Sequence, residues 1–252
     1  MKLSARVGII ACCALLLPAF AAIGATSRVR AVSYTLPEDA IASQELRALL
    51  LYLQPNILAL HDVPAAAAAG SQSQLAALAG SLGMYYAYQP ASSRRDPGCA
   101  LLSRYPVQKV SPLPRSGSQS VTGMSVQVRV GMASLQVAVV RPNSDSARKA
   151  AVDIVSRLVK QEPKQHLLLM ASFDPGMVMD TVKGWGQAGL QDAAVALKDA
   201  QATFPADRPT QRLDFVLVSA NLRPSLKEMR VVRNRAARAL GGHLPVELTF
   251  VY

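Results

Sequence analysis

Cysteine is scarce: Cys12, Cys13 and Cys99 are the three among 252 residues. That is too few for a disulfide-stapled scaffold. Charge is sparse at 17%, whereas hydrophobic residues make up 50%, which excludes an intrinsically disordered chain. Acidic side chains are the rarer sign, 16 Asp and Glu against 27 Lys and Arg, for a formal net charge of +11. Uncharged apolar runs of spanning length are missing everywhere except at the N-terminus, so a multi-span membrane protein is excluded. No internal repeat and no nucleic-acid module signature is visible.

What is there begins with Lys2 and Arg6, followed by Val7–Ala25, which is uncharged and rich in Ala, Leu and Ile. The small triplet Ala22-Ile23-Gly24 offers a peptidase site, so residues 1–25 read as a signal peptide and 26–252 as one exported domain, periplasmic or extracellular. The alternative is an uncleaved anchor over residues 7–25. Cys12 and Cys13 leave with the leader, and Cys99 then stands as a single buried small hydrophobe. Lys2 and Arg6 are the only charges in 1–25, so cleavage takes +11 to +9. A basic excess favours anionic partners.

Along the remaining chain, apolar patterning predicts strands at 29–34, 57–60, 84–88, 99–102, 167–173, 213–218 and 246–252, with an antiparallel hairpin of 124–130 and 135–140 around Gly131. Helices are expected from Pro37 to Leu53, around Leu75–Leu82 up to Gly83, and over 144–159 with Ser144 or Asp145 as cap. Ala65–Gly70 reads as a small-residue linker, 89–98 as a surface loop, and Tyr85, Tyr86 and Tyr88 as sheet core. Long apolar strands mixed with helices imply sheets buried on both faces. The fold class is α/β, a layered sandwich of two packed, mostly antiparallel sheets flanked by helices.

Four blocks, in this order, resemble one known family. They are Gln54-Pro55-Asn56-Ile57-Leu58-Ala59-Leu60, then Gly98-Cys99-Ala100-Leu101-Leu102-Ser103-Arg104-Tyr105-Pro106-Val107, then Ala202-Thr203-Phe204-Pro205 with Arg212-Leu213-Asp214-Phe215-Val216, and finally His243-Leu244-Pro245-Val246. Together they resemble the endonuclease/exonuclease/phosphatase superfamily, whose fold is that of pancreatic deoxyribonuclease, over about Val29 to the C-terminus. The resemblance implies phosphoester hydrolysis. In it a carboxylate-held Mg²⁺ polarises the phosphoryl group and a histidine–aspartate pair assists the attack of water.

Position by position, the resemblance carries over unevenly. Thr35 stands where the family has an asparagine. Leu60-His61-Asp62-Val63 stands for Leu-Gln-Glu-Val, and the shorter Asp62 withdraws its oxygen by about 1.5 Å, more than a metal distance tolerates. Val140-Arg141-Pro142-Asn143 lacks the histidine of Thr-His-Leu. Ala171-Ser172-Phe173-Asp174 replaces Gly-Asp-Phe-Asn, and Gly241-Gly242-His243 replaces Ser-Asp-His. The resemblance therefore leaves His243 and Asp214 as candidate catalytic residues; Asp62 and Asp174, which both follow buried strands, are candidate ligands of one weakly held Mg²⁺ or Ca²⁺. His61 has no second ligand at zinc spacing, and His166 reads as a surface residue.

Residues 208–238 hold eight basic and two acidic side chains, with Arg230, Arg233, Arg235 and Arg238 leading to His243. Arg94 and Arg95 lie in the loop before Cys99. Guanidinium forks suit phosphate oxygens, so Arg230, Arg233, Arg235 and Arg238 are candidate anion contacts. Because linked catalytic groups fail together, the expectation is a monomeric, catalytically impaired pseudoenzyme binding a phosphate-bearing ligand. The alternatives are a divergent Mg²⁺-dependent phosphoesterase and a structural protein-interaction domain.

Overall fold

The computed structural model describes residues 27–68, 73–91, 93, 96–114, 121–175 and 178–252. The leader or anchor run, Gly70, Arg94, Arg95 and Gly176 lie outside them. Among the described residues no helix is long and apolar enough to cross a membrane.

The first half opens with β1 (Arg28–Thr35), α1 (Gln44–Leu53) and β2 (Ile57–Val63). It continues with α2 (Gln74–Leu82), β3 (Tyr85–Gln89), β4 (Gly98–Ser103) and β5 (Val107–Pro112). The second half is β6 (Thr122–Val130), β7 (Ala133–Arg141), α3 (Asp145–Gln161), β8 (His166–Ser172) and α4 (Met179–Gln187). Then come β9 (Leu190–Asp192), α5 (Ala193–Ala196), β10 (Asp214–Ser219), β11 (Leu226–Val231), α6 (Arg235–Leu240) and β12 (Val246–Val251).

The strands form two six-stranded sheets, ordered β11-β12-β1-β2-β4-β3 and β5-β6-β7-β8-β10-β9. Each sheet holds one parallel pair, β1 with β2 and β7 with β8, each joined through a helix. The other pairings are antiparallel. This is the expected α/β sandwich. Its middle layer includes Val29, Ile57, Met124, Val137, Val216 and Leu248. A second apolar cluster lies between the first sheet and α1, α2 and α6, and a third between the second sheet and α3 and α4. Central strands are therefore covered on both faces, which is why they read as continuous apolar runs.

Local chemistry sets the boundaries. Ser43 caps α1 by accepting from the Leu46 amide at 3.1 Å, so the α-helix starts there and not at Pro37; Ala40–Ala42 forms a 3₁₀ turn. Leu46, Leu49, Leu50 and Leu53 then fall on one buried stripe, each contributing about 1.5–3 kcal/mol of burial. Ser144 caps α3 through the Ala147 amide. The left-handed φ of 64° at Gly83 ends α2, a conformation glycine adopts without a Cβ clash.

β5, β9, β11, α4, α5 and α6 are not among the elements that the sequence patterning predicts. β5 and β11 are edge strands with half-exposed residues and weak apolar periodicity, while β9 and α5 are too short to show a period. The sole tryptophan, Trp185 on α4, is fully buried and donates to the Ala151 carbonyl of α3 at 3.1 Å. Tyr86 is buried in the sheet, with Tyr85 and Tyr88 half-buried. His166 is also half-buried, its ring edge-on to Tyr252. Cys99 is a buried free thiol, and burial pushes its pKa up.

Candidate functional site

One end of the sandwich collects the C-terminal ends of β1, β2, β7 and β8 with the N-terminal ends of β10 and β12. Thr35, Asp62, Arg141, Ser172, Asp214 and His243 converge there by topology alone, since parallel and antiparallel pairing bring those particular ends together.

One wall is a buried hydrogen-bonded chain. His243 Nδ1 lies 2.8 Å from Asp214 Oδ2. Asp214 Oδ1 accepts from Thr35 Oγ1 at 3.0 Å, and Thr35 Oγ1 also bonds Ser172 Oγ at 2.6 Å. Asp214 and Ser172 face each other directly across the β10–β8 ladder. The Asp214 backbone N–H donates to Thr203 Oγ1 at 3.3 Å. Burial pushes the Asp214 carboxyl up, but the charge and hydrogen bond of His243, with help from Thr203 and His61, outweigh it and hold the pKa below the ordinary carboxylate value. His243 follows Gly241 and Gly242, both at positive φ, and its ring packs 5.0 Å from Phe204.

The other wall is ionic. Arg141 is buried at the end of β7 and grips Asp62 with both arms of its fork, Nε to Oδ1 at 2.9 Å and Nη2 to Oδ2 at 2.8 Å. The same Nη2 reaches Asp174 Oδ1 at 2.7 Å. Nη1 donates to the Ser172 carbonyl at 3.4 Å, touching the first wall. Burial alone would lower the Arg141 pKa; the hydrogen bonds and charges of Asp62 and Asp174 raise it instead, so the guanidinium stays charged. Asp62 sits at φ 57°, a left-handed conformation uncommon outside glycine, within an irregularity of the β2–β4 pairing. Such a bulge re-aims a side chain, and here it turns Asp62 toward the end of β7.

Sequence reasoning paired Asp62 with Asp174 and passed over Arg141. The available signal was a single arginine closing the apolar run 135–140. A charge at the end of a buried strand requires counter-charges, and Asp62 and Asp174 are those counter-charges. Below the ionic wall, His61 is wholly buried, its Nε2 3.1 Å from Ser33 Oγ and its Nδ1 without a partner. Burial, reinforced by the charge of Arg141, lowers the His61 pKa to about 4. A cleft of about 510 Å³ opens beside Asp62, lined also by Leu36, Glu38, Pro64 and Pro97.

The four candidate anion contacts are spread out. Arg230, on edge strand β11, pairs with Glu247 at 3.0 Å. Arg233 donates to the Ala202 carbonyl, and Arg238 to those of Arg233 and Asp207. Arg235 is exposed on the first turn of α6. Arg233, Arg235 and Arg238 thus stand on the segment leading to His243, whereas Arg230 is engaged by a carboxylate of β12.

No family model matches this sequence, and no curated protein matches it. Solved structures do. A 3′ phosphatase, NExo from Neisseria bound to product DNA hairpin, aligns with TM-score 0.69 and 18% identity, over 89% of this chain and 100% of that one. The chain has the fold of the endonuclease/exonuclease/phosphatase proteins. A family protein from Leptotrichia buccalis aligns with TM-score 0.65 and 16% identity, over 89% of this chain and 100% of that one. The human Nocturnin catalytic domain with bound sulfate anion aligns with TM-score 0.63 and 16% identity, over 88% and 94%.

The residues of this cleft do not fit the divalent ion that the fold family implies. Mg²⁺ takes oxygen ligands in a near-octahedral shell at about 2.0–2.1 Å. Both Asp62 oxygens and one Asp174 oxygen already accept from Arg141, and the Asp214 carboxylate is engaged by His243 and Thr35. Among the described residues, no group of three or more His, Cys, Asp or Glu side chains could hold a metal ion.

Proposed function

We propose that this chain is an exported, non-hydrolysing domain of the endonuclease/exonuclease/phosphatase fold, a divergent relative of the phosphoesterases that share it, whose basic surface receives a phosphate-bearing ligand. The observation that carries this reading is Ser172. It takes the place of the family's nucleophile-orienting aspartate, directly opposite Asp214, and is buried and hydrogen-bonded to Thr35. A hydroxyl at that position offers no negative charge to orient and activate a water, and losing one member of a linked catalytic group costs orders of magnitude.

The charge balance argues for the rim as the binding surface. Asp62, Asp174 and Asp214 outnumber Arg141 where the strand ends converge, so an anion gains little there. Arg233, Arg235 and Arg238 are exposed on the segment leading to His243, where forked donors meet phosphate without deep desolvation. A rim-held ligand makes affinity fall steeply with salt.

The decisive experiment is hydrolysis of an activated phosphodiester and an activated phosphomonoester in Mg²⁺ and then Mn²⁺, with His243→Ala as the matched control. Turnover equal to that control is expected. The retained 2.8 Å Asp214–His243 pair favours a second reading, a divergent metal-dependent phosphoesterase. Metal-dependent turnover that vanishes in His243→Ala would install it. Export is checked by the mass of the protein recovered outside the cytoplasm, which should begin near residue 26.

A further inference from the structure

We propose that Arg141 is the resident cation of this cleft: its guanidinium occupies the place between Asp62 and Asp174 that a divalent ion would take, so the wild-type protein binds no Mg²⁺ or Mn²⁺ there. The inference rests on the non-hydrolysing reading above but makes a separate statement, about ion binding. Three observations carry it. First, the fork closes on Asp62 in two parallel bonds of 2.9 and 2.8 Å and extends to Asp174 at 2.7 Å. That is bidentate recognition, which arginine makes and lysine cannot. Second, the Arg141 side chain is buried, so its charge cannot swing out to water and make way for a metal. Third, the left-handed backbone at Asp62 is a local strain that persists only where the surroundings hold it, and here Arg141 is what the carboxylate is turned to meet.

A divalent ion entering this site would meet a fixed positive charge at contact range, already hydrogen-bonded to the carboxylate oxygens it would need. Removing the guanidinium reverses both conditions. Two carboxylates that shared one Arg141 nitrogen are left without it, and a divalent cation becomes the simplest way to neutralise them. Arg141→Ala should therefore gain a Mn²⁺ site that the wild type lacks.

The test is direct Mn²⁺ binding by electron paramagnetic resonance, alongside thermal unfolding in EDTA and in saturating Mn²⁺. The wild type should bind no ion in the cleft and keep one Tm in both conditions. Arg141→Ala should melt lower in EDTA and regain about 5 °C in Mn²⁺, a gain lost in Arg141→Ala/Asp62→Asn. Arg141→Lys, which keeps a cation, should stay insensitive to Mn²⁺. Wild-type Mn²⁺ binding that disappears in Asp62→Asn overturns the proposal, and this measurement holds even if Arg141→Ala fails to fold. A folded Arg141→Ala that ignores Mn²⁺ also overturns it, as does an Arg141→Lys that gains the same site. Wild-type Mn²⁺ binding without hydrolysis defeats this inference alone. Hydrolysis without a cleft ion defeats only the functional reading.

Discussion

The two walls of the cleft handle charge in opposite ways. On one, Asp214 is 1% exposed and meets His243 at 10%, inside a chain of short neutral and charge-assisted hydrogen bonds. On the other, Arg141 is 8% exposed while its partners open progressively to water, Asp62 at 23% and Asp174 at 49%. The first wall is held by hydrogen bonding to groups that water cannot reach. The second is organised around one buried cation, with its carboxylates graded toward solvent. A buried charge without partners is far more costly than a half-exposed one. Arg141 makes every contact to both carboxylates, so its loss, which breaks all of them at once, matters most on the ionic wall.

That contrast sets an order of effects. The largest is expected for Arg141→Ala, which strands Asp62 and Asp174 without a counter-charge and should lower unfolding stability by about 3 kcal/mol, read from urea midpoints. A loss below about 1 kcal/mol would mean that water already neutralises this wall. Next is acid sensitivity through His61, which lies beneath the ionic wall. In the unfolded chain its imidazole takes a proton near 6.5, in the folded protein only near 4. Between those values the unfolded state holds more protons, so stability should fall by about 3 kcal/mol as pH drops from 6.5 to 4. His61→Gln should remove most of that slope; an unchanged slope would assign it to another group.

The depressed Asp214 pKa acts in a separate window. The stabilisation from its ionised form is present above 3.8 and is lost as pH falls further, through the lower folded value. Asp214→Asn, which keeps the shape but removes the charge, should cost about 2 kcal/mol because His243 and Thr35 lose a charged acceptor. A cost equal to that of Arg141→Ala would erase the distinction between the walls. The smallest effect belongs to Asp174→Asn, half in water and one bond from Arg141, at about 0.5 kcal/mol. Across the series, Asp174→Asn against Arg141→Ala is the sharpest comparison, because the two remove the charge from opposite sides of the same 2.7 Å contact.

Several of these features were legible before any coordinates. Leu167–Phe173 and Leu213–Val218 announce buried strands, because a strand covered on both faces leaves an unbroken apolar run. Ser144 and Gly83 announce helix ends, because capping and left-handed turns act over a few residues. The Asp214–His243 pair was legible through resemblance, since both residues stand in recognisable blocks. Edge strands β5 and β11 were not, because half their side chains face water and the apolar alternation fades.

The sequence by itself determined the alternation of strands and helices, the layered class, and the two residues kept from the family pattern, since each depends on local periodicity or a short motif. Only the tertiary structure decided what Asp62 and Asp174 do. Their partner lies 79 residues from one and 33 from the other. It reaches them because β7 ends beside both β2 and β8, and Asp62 is turned toward it by a left-handed backbone that no sequence periodicity encodes. Charge pairing across a cleft is a matter of distance in space, and two sheets had to pack before a lone arginine could take the position that the motif alone assigns to a metal.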